Sequence, residues 1–509
     1  MILINAAPVK GTHHFSAFSP VFPPIGLGYL AAVLRQKNIH VHVIDQQIKP
    51  DVLHEIALLI PVLKTPYIFG FSVLTAAFQE ALLTARALKK SYPGSFIVFG
   101  GMHPTAMPEE VLTSGVVDVV IRGEAEQSLV QLVECLNNSL DWSAIPGLSF
   151  IRDQQFVHNS DADLMTNLDE LPVFPHELFS DNPRYDRGIL ISSRGCDQQC
   201  IFCSNKIISR HKVRYRSARN VASEMELLIR TYGQKHLLFL DDDFMGQEER
   251  LFELCHEIQI RGLHLEAKFS FQARCDRVQP QIMQRLYDSG FRTVFFGIES
   301  ASPAILKESR KGELPADYKK AIQLANAQGY SVQGSFIYGL PGETRQDRID
   351  TLNFALREQF DVVKFNNVVP YPGTQLYKQA LKQGLLQLSP DYRNADTLIP
   401  LTDGLWRKRK LPYLPENTSQ KELRRFIVLS YLAFYLSPAR FRSVVHPKDQ
   451  SIRWLYIRKA NGHIAFRKLA LLLNLVLVTG VKFLLLLLVP VRENYFLFLL
   501  RRKRGSTHA

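Results

Sequence analysis

Cysteine spacing is the feature that most constrains this 509-residue chain. Three of its six cysteines, Cys196, Cys200 and Cys203, fall within eight residues. Thiolate is a soft ligand that suits zinc, copper(I) and iron–sulfur clusters. A structural zinc site closes four positions, whereas a 4Fe-4S cluster on three cysteines leaves one iron open. The run therefore favours a 4Fe-4S cluster over a zinc site completed by His211, and its odd spacing argues against a disulfide framework.

The positive charge of the chain is concentrated at its C-terminal end. The formal net charge is +13, but residues 401–509 alone hold 21 Lys and Arg against 5 Asp and Glu. The rest of the chain is slightly acidic, which excludes a nucleic-acid binder with a basic surface throughout. Few, irregularly spaced cysteines predict a reducing, cytoplasmic environment, and residues 1–8 read as a strand rather than a signal peptide.

Residues 1–140 alternate short apolar runs with amphipathic stretches. This pattern predicts five βα units and a doubly wound, parallel sheet with helices on both faces. The predicted strands are 1–5, 40–45, 67–73, 95–100 and 117–121, and the predicted helices are 25–37, 51–60, 76–91, 107–114 and 124–138.

The ends of these strands carry the candidate ligand-binding residues, because ligands bind outside the carboxyl ends of a parallel sheet. Glycines there let a ligand approach the backbone closely, but tight βα turns need them as well, so both interpretations stay open. The candidates are Ser72, Gly100, Gly101, His103, Gly123 and Glu124.

Residues 141–187 are rich in proline and acidic residues and are predicted to be a linker with a short hairpin at 148–152 and 156–159. Residues 188–400 then resume the alternation, and six βα units predict an incomplete parallel barrel. The predicted strands are 188–193, 236–241, 267–272, 292–298, 331–338 and 361–368, and the predicted helices are 217–232, 247–261, 279–290, 316–329, 344–358 and 374–384.

Barrel chemistry sits at the carboxyl ends of the strands, which selects a second set of candidates. Burying adjacent aspartates after an apolar strand costs folding free energy unless they bind a ligand or cap a helix. An arginine there suits a carboxylate ligand, or equally a salt bridge to Asp276 or Glu299. These candidates are Asp241, Asp242, Asp243, Arg274, Glu299 and Gly339, whereas Cys255 and Cys275 show no metal spacing.

The cysteine run, Cys-x3-Cys-x2-Cys with an aromatic residue before the third cysteine, resembles the radical S-adenosylmethionine (radical SAM) superfamily. The resemblance implies that Cys196, Cys200 and Cys203 hold a 4Fe-4S cluster whose open iron binds SAM. It also implies that the backbone of Phe202 contacts the adenine of SAM. The barrel strand ends, including the three aspartates, would bind the rest of SAM.

A second resemblance covers residues 1–140. The segments 23–31 (PPIGLGYLA), 99–105 (FGGMHPT) and 123–126 (GEAE) resemble the cobalamin-binding domain of class B radical SAM enzymes. The chain lacks the Asp-x-His-x-x-Gly pattern that supplies an axial histidine in many cobalamin domains. His103 and His13 are the candidate axial ligands that remain.

Residues 401–509 are predicted to form a basic, helical C-terminal region. Its segment 469–491 is almost wholly apolar but contains Lys482. That segment reads as an interfacial membrane helix, a spanning helix or a helix buried on the barrel. Basic flanks favour the anionic inner face of a cytoplasmic membrane.

The resemblance covers about residues 1–400 and implies a cobalamin-dependent radical SAM methyltransferase acting on an unactivated carbon. It also implies an electron donor such as flavodoxin or ferredoxin. The substrate is unknown, and the apolar tail suggests a lipid-like molecule. One alternative is an oxidative cyclase like the anaerobic magnesium-protoporphyrin monomethyl ester enzyme, and another is a non-enzymatic cobalamin or metal sensor on a membrane. No nucleic-acid partner is expected.

Overall fold

The apolar runs near the N-terminus form a mainly parallel sheet. The computed structural model describes residues 1–8, 21–63, 65–180, 182–403 and 408–435. The strands of the first sheet are β1 (Ile2–Asn5), β2 (His42–Asp45), β3 (Ile68–Ser72), β4 (Phe96–Gly100), β5 (Val119–Ile121), β6 (Leu148–Arg152) and β7 (Gln155–His158). Among the described residues their order is β2-β1-β3-β4-β5-β6-β7, and β1 to β5 are parallel.

Helices cover both faces of this sheet. They are α1 (Ile25–Gln36), α2 (Val52–Leu59), α3 (Phe78–Ser91), α4 (Met102–Ala106), α5 (Pro108–Thr113) and α6 (Glu126–Asn137). Alternate residues of β1 enter different cores: Ile2 and Ile4 pack with α2 and α3, whereas Leu3 packs with α1 and α6. The predicted doubly wound arrangement is thus confirmed, with two apolar layers around one buried sheet.

The predicted hairpin lies within this sheet. Strand β6 pairs antiparallel with β5, and β7 pairs with β6, so the sheet extends to His158. The sequence placed this hairpin in the linker 141–187. The division into residues 1–140, 141–187, 188–400 and 401–509 stays a prediction, and the hairpin adds an antiparallel edge to the first part.

The second sheet is the predicted six-stranded partial barrel. The remaining strands are β8 (Ile189–Leu190), β9 (Ser193–Arg194), β10 (Arg214–Tyr215), β11 (His236–Phe239), β12 (Lys268–Ala273), β13 (Phe291–Glu299), β14 (Ser331–Tyr338) and β15 (Val362–Asn367). In the described part of the chain, β8, β11, β12, β13, β14 and β15 are neighbours in that order and all parallel. Strands β9 and β10 form a separate antiparallel pair.

Side chains of the barrel strands alternate between two environments. Those pointing outward are buried under helices, as where Tyr338 meets Phe426. Those pointing inward are partly or fully accessible, and we call this surface the inner face; it includes Gln272, Phe295, Gly297, Gln333, Ser335 and Lys364. The helices are α7 (Lys206–Ser209), α8 (Ala218–Glu226), α9 (Glu248–Ile260), α10 (Leu263–Glu266), α11 (Pro280–Asp288), α12 (Pro303–Glu308), α13 (Pro315–Ala327), α14 (Arg345–Arg357), α15 (Gln375–Lys382), α16 (Ile399–Thr402) and α17 (Gln420–Tyr435).

Helix α17 covers the open edge of the barrel at β15. The Tyr431 hydroxyl accepts from the backbone N–H of Phe365 at 3.0 Å. The Tyr435 hydroxyl accepts from the N–H of Val363 at 3.1 Å and donates to its carbonyl at 2.7 Å. Two side chains thus satisfy backbone groups that an edge strand would leave unpaired.

In the part of the chain that the structure describes, no helix is long and apolar enough to cross a membrane. The apolar segment 469–491 and its basic flanks lie outside the described residues, as does His13.

Candidate functional site

The cysteine loop follows β9 at the mouth of the barrel. It is attached to neighbouring elements through its backbone: the N–H of Ile201 donates to the Ser309 carbonyl at 3.1 Å, and its carbonyl accepts from Leu376 at 2.9 Å. Cys200 is buried, Cys196 is partly buried and Cys203 is exposed, and none is in a disulfide. The loop therefore presents three free thiols from one backbone segment.

Gly195 allows the chain to enter this loop. Its φ is +93°, and a Cβ at this position would lie 2.1 Å from the carbonyl oxygen of Lys212. A side chain there would collide with backbone, because real carbon–oxygen contacts are never so short. Glycine is thus needed both for the left-handed conformation and for the close approach.

Arg277 holds the other side of the cysteine loop. Its guanidinium lies 3.0 Å from Asp197 in the loop and 3.1 Å from Asp243, which follows β11. Burial raises the pKa of Asp243 to about 6, against the opposing charge of Arg277. The arginine is a positioning residue that ties the loop to the barrel, and the sequence analysis missed it.

The donor chemistry of the loop fits a 4Fe-4S cluster. Burial raises the pKa of Cys196 to about 11 and also raises the pKa of Cys200 and Cys203, so the thiols are protonated until a metal displaces the protons. Within the described residues, no three Cys, His, Asp or Glu side chains are gathered as a metal site. The assignment of the cluster to these three cysteines therefore stays a prediction.

The zinc alternative gains no support from His211. Its Nδ1 lies 3.0 Å from the carbonyl oxygen of Gln198, within hydrogen-bonding distance. A hydrogen bond within the loop accounts for this histidine.

The three aspartates after β11 point in different directions. Asp241 is buried and accepts from the Ser192 backbone N–H at 3.1 Å and hydroxyl at 2.7 Å, and from Ser193. Asp242 faces the large cavity described below and accepts from the Gly195 N–H at 3.2 Å. Backbone and hydroxyl donors occupy the carboxylate of Asp241, so the expectation of a common ligand-binding role gains no support there and stays a prediction.

Arg274 lies in an ion-pair cluster behind Cys200. It contacts Asp276 at 2.6 Å and Glu313 at 3.6 Å, and Lys311 contacts Glu313 at 2.9 Å. Of the two interpretations left open for Arg274, this arrangement supports the salt bridge. Neither Lys311 nor Glu313 was selected from the sequence, because the contact between Glu313 and Arg274 joins residues about 40 positions apart and no local pattern indicates it.

Glu299 remains a candidate for a ligand contact. Burial raises its pKa to about 7, with the Lys311 charge opposing. One of its carboxylate oxygens has no hydrogen-bond partner, and its backbone φ is +63°. A strained residue with an unsatisfied carboxylate at a strand end is a typical functional position.

Gly339 and Phe202 are occupied by packing contacts. A Cβ on Gly339 would lie 2.9 Å from a methyl carbon of Leu423 in α17, and its N–H donates to Glu343 at 2.6 Å. Gly339 thus accommodates the C-terminal helix, and its predicted contact with a cofactor stays a prediction. The Phe202 side chain packs on the apolar cluster around Ile201, which leaves only its backbone for the predicted adenine contact.

A cavity of about 370 Å³ joins the first sheet to the cysteine loop. The strand ends contribute one wall, and residues from Arg194 to Asp242 contribute the other. Five of the six residues predicted at the strand ends line it: Ser72, Gly100, Gly101, Gly123 and Glu124. A Cβ on Gly100 would have only the Ile121 carbonyl within 4 Å, so its lack of a side chain widens the cavity. A glycine-lined cradle of this kind fits a large planar cofactor.

The backbone conformation accounts for the glycine at position 101. Its φ is +99°, and a Cβ would lie 3.0 Å from the N and 3.1 Å from the carbonyl oxygen of Val73. The turn after β4 therefore requires glycine whether or not a ligand is bound, which is the turn interpretation that the sequence left open.

His103 is turned away from this cavity. Its ring is fully buried, with its centroid 4.2 Å from that of Phe78 and 4.9 Å from that of Tyr392, and burial lowers its pKa to about 4. It does not line the cavity. Both ring nitrogens are buried without a hydrogen-bond partner among the described residues, and Nε2 lies 3.9 Å from a carboxylate oxygen of Glu110. The structure therefore gives the suggestion that His103 ligates cobalt no support, and it stays a prediction.

Two buried ion pairs close one side of the cavity. Arg214 donates to both carboxylate oxygens of Glu124, at 2.7 and 2.8 Å, and Arg194 donates to Glu126 at 2.7 Å. Although burial raises the pKa of Glu124, the hydrogen bond from Arg214 and the charges of both arginines lower it below the usual range. These pairs join the first sheet to the β9–β10 hairpin that carries the cysteine loop.

The comparisons with known proteins match both halves of this site. A B12 binding domain model matches residues 16–133, and a radical SAM superfamily model matches residues 190–355. An uncharacterized methyltransferase of Pyrococcus horikoshii is 32% identical over 82% of this chain and 88% of its own length. The anaerobic magnesium-protoporphyrin IX monomethyl ester cyclase of Cereibacter sphaeroides is 25% identical over 82% of this chain and 68% of its own.

A solved structure has the same fold. The radical S-adenosylmethionine methyltransferase TsrM from Kitasatospora setae, with cobalamin and a 4Fe-4S cluster bound, aligns with a TM-score of 0.65 and 18% identity over 76% of each chain.

The chain belongs to the radical SAM enzymes that carry a B12-binding domain. Its cofactors are a 4Fe-4S cluster, SAM and cobalamin. The resemblance stated from the sequence is thereby confirmed, and the alternative of a non-enzymatic sensor is not supported.

Proposed function

We propose that this enzyme methylates an unactivated carbon of a small molecule, using SAM as the methyl source. The observation that carries the proposal is the shared cavity: the glycine-rich strand ends and the cysteine-loop hairpin face the same space. A cobalamin held at the strand ends would there adjoin SAM held at the barrel mouth. The relative at 32% identity, a methyltransferase by name, supports the same reaction.

The bound cofactors supply reductive SAM cleavage, hydrogen abstraction and methyl delivery. In the proposal Cys196, Cys200 and Cys203 hold the cluster, and the Phe202 backbone with Asp242, Asp243 and Glu299 surrounds SAM. Ser72, Gly100, Gly123 and Glu124 line the cobalamin side of the cavity. Arg194 and Arg214 keep the two sides together, which limits the entry of water to the reacting groups.

Isotope transfer from SAM tests this proposal. The reconstituted enzyme, a chemical reductant and SAM with a deuterated methyl group are incubated with small molecules extracted from the source organism. We expect reductant-dependent 5′-deoxyadenosine, S-adenosylhomocysteine and one product that has gained the labelled methyl group. Mass spectrometry detects all three.

A second candidate function has one specific observation behind it, the similarity to the protoporphyrin ester cyclase. A cyclase removes hydrogen from its substrate and forms a ring without adding a labelled methyl group. A product of that kind, from magnesium-protoporphyrin monomethyl ester, would contradict methyl transfer. A small-molecule substrate and an external electron donor of the flavodoxin or ferredoxin type are part of both candidates.

We also propose that the basic C-terminal region binds the inner, cytoplasmic face of a membrane and that the substrate is lipid-like. The support is sequence alone: the charge of residues 401–509 and the apolar segment 469–491. We expect the full chain to pellet with liposomes rich in anionic lipid, whereas a chain ending at residue 450 stays in the supernatant with its cluster intact.

Salt distinguishes the modes of attachment. Surface binding should be released by high salt, because each basic residue near the surface contributes about 1 kcal/mol that salt screens. A spanning segment should be released only by detergent. Full-length protein that never pellets would contradict membrane binding and withdraw the argument for a lipid-like substrate.

A further inference from the structure

Lys364 lies on the inner face of the barrel, and no described residue forms an ion pair with it. Its side chain is exposed to the open interior, and the ion pairs of the described residues do not include it. Although the side chain can be reached from the interior, the barrel atoms around it desolvate the ammonium and lower its pKa, and no carboxylate opposes that shift. A lysine surrounded by protein is normally paired, so a cation left free at such a position is available to a ligand.

The groups around Lys364 would complement an anion attached to a carbon skeleton. Its ammonium nitrogen lies 5.4 Å from the ring centroid of Phe295, which offers an apolar surface beside the charge. The amide nitrogen of Asn366 donates to the Ser335 hydroxyl at 3.0 Å. Because Ser335 accepts from Asn366, its hydroxyl keeps its own proton to donate to an oxyanion.

Ser335 and Lys364 lie close to Gly297, which is next to the residues predicted to surround SAM and the cluster. Ser335 pairs with Gly297 on one side and with Lys364 on the other, so the three lie in one row across β13, β14 and β15. Adjacent strands are about 4.8 Å apart, which puts Lys364 about 10 Å from Gly297. A Cβ on Gly297 would lie 2.8 Å from Glu299 and 3.4 Å from Lys311, whose charge acts on Cys200.

The other nearby cation is not available for this role. Lys311 is largely buried, pairs with Glu313 at 2.9 Å and interacts with Glu299. Of these two lysines, Lys364 is thus the one that a ligand can reach.

We propose that Lys364, with Ser335, binds an oxyanion of the substrate, a carboxylate or a phosphoryl group, while Phe295 contacts the adjoining carbon skeleton. The inference rests on the proposed function and extends it. It gives the substrate an acidic group that lies two strand spacings, or about 10 Å, from the reacting carbon. A substrate so anchored has its position fixed before hydrogen abstraction.

Probe binding tests the subsite without turnover. The full-length chain with cluster and cobalamin, without SAM or reductant, is titrated with benzoate, phenyl phosphate and neutral benzyl alcohol, and binding is followed by saturation-transfer NMR. We expect both anions to bind more tightly than the alcohol. Lys364→Met should weaken anion binding about tenfold, the loss expected for one charge-assisted contact. The tighter of the two anions identifies the acidic group.

Lys320→Met is the matched control, because Lys320 is an exposed lysine on α13, outside the barrel. It should bind the anions as the parent does. Lys364→Glu should instead prefer benzylammonium, and circular dichroism establishes that each variant is folded. Equal affinity of the parent and Lys364→Met for the anions would overturn the subsite, as would a parent that binds anions no better than the alcohol. Absence of methyl transfer alongside Lys364-dependent anion binding would count against the proposed function alone.

Discussion

Replacing Cys200 with alanine is expected to abolish SAM cleavage. The remaining two thiols cannot hold a cluster that the spacing assigns to three, so iron should fall from about four per chain to a trace. Reductant-dependent 5′-deoxyadenosine, measured by liquid chromatography after anaerobic reconstitution, should become undetectable. The Cys196→Ala and Cys203→Ala variants should behave in the same way.

Cys135→Ala supplies the control, because Cys135 is a partly buried free thiol packed against the core of the first sheet. It should keep its iron and its activity. Substantial SAM cleavage by the Cys200→Ala variant would remove this cysteine from the set of cluster ligands.

Replacing Glu124 with glutamine is expected to lower the free energy of unfolding by about 3–5 kcal/mol, the usual cost of leaving a buried charge without its partner. Arg214 would lose a bidentate acceptor, and the side chains of both residues are only 8% exposed. Cobalamin content should fall as well, because the pair fixes one wall of the cavity. Urea unfolding and the visible absorption of the purified protein measure the two effects.

Asp161→Asn is the matched control. Asp161 also accepts from an arginine, Arg122, at 2.6 Å, but it is 54% exposed. Removing its charge should cost no more than about 1 kcal/mol. If Glu124→Gln costs as little as Asp161→Asn, the buried pair does not hold the cavity together.

The stabilisation from Glu124 should depend on pH in a defined direction. Its pKa is lower in the folded than in the unfolded chain, so its contribution is fully present above the unfolded-state value of about 4.3. It is lost as the pH falls through the lower, folded value. The Glu124→Gln variant should therefore lose less stability than the parent on acidification.

Much of the fold followed from hydrophobic periodicity. Buried parallel strands leave apolar runs of five or six residues, and each predicted strand is present within a few residues of its predicted bounds. Local spacing also selected Ser72, Gly100, Gly123 and Glu124, which line one cavity because parallel strands end at the same edge. These inferences used the period of the apolar residues and the common direction of parallel strands, and both can be derived from the sequence.

The orientation of side chains after a strand could not be predicted in the same way. Three adjacent aspartates follow β11, yet Asp241 turns inward to Ser192 because of local backbone geometry. Likewise the need for Gly101 comes from Val73, a neighbour in space, and Arg214 reaches Glu124 across 90 residues of chain. The directions of side chains and their distant partners leave no periodic signal.

The tyrosines of α17 limit how far the chain can be shortened from its C-terminal end. A barrel of six strands does not close, so β15 would expose backbone N–H and C=O groups along its whole length. Tyr431 and Tyr435 pair with three of them, the N–H groups of Val363 and Phe365 and the carbonyl of Val363. A chain cut before α17 would present a bare strand edge to other copies of itself and would assemble edge to edge into aggregates. The helix therefore protects this strand edge from pairing with other copies of the chain and also forms part of the core.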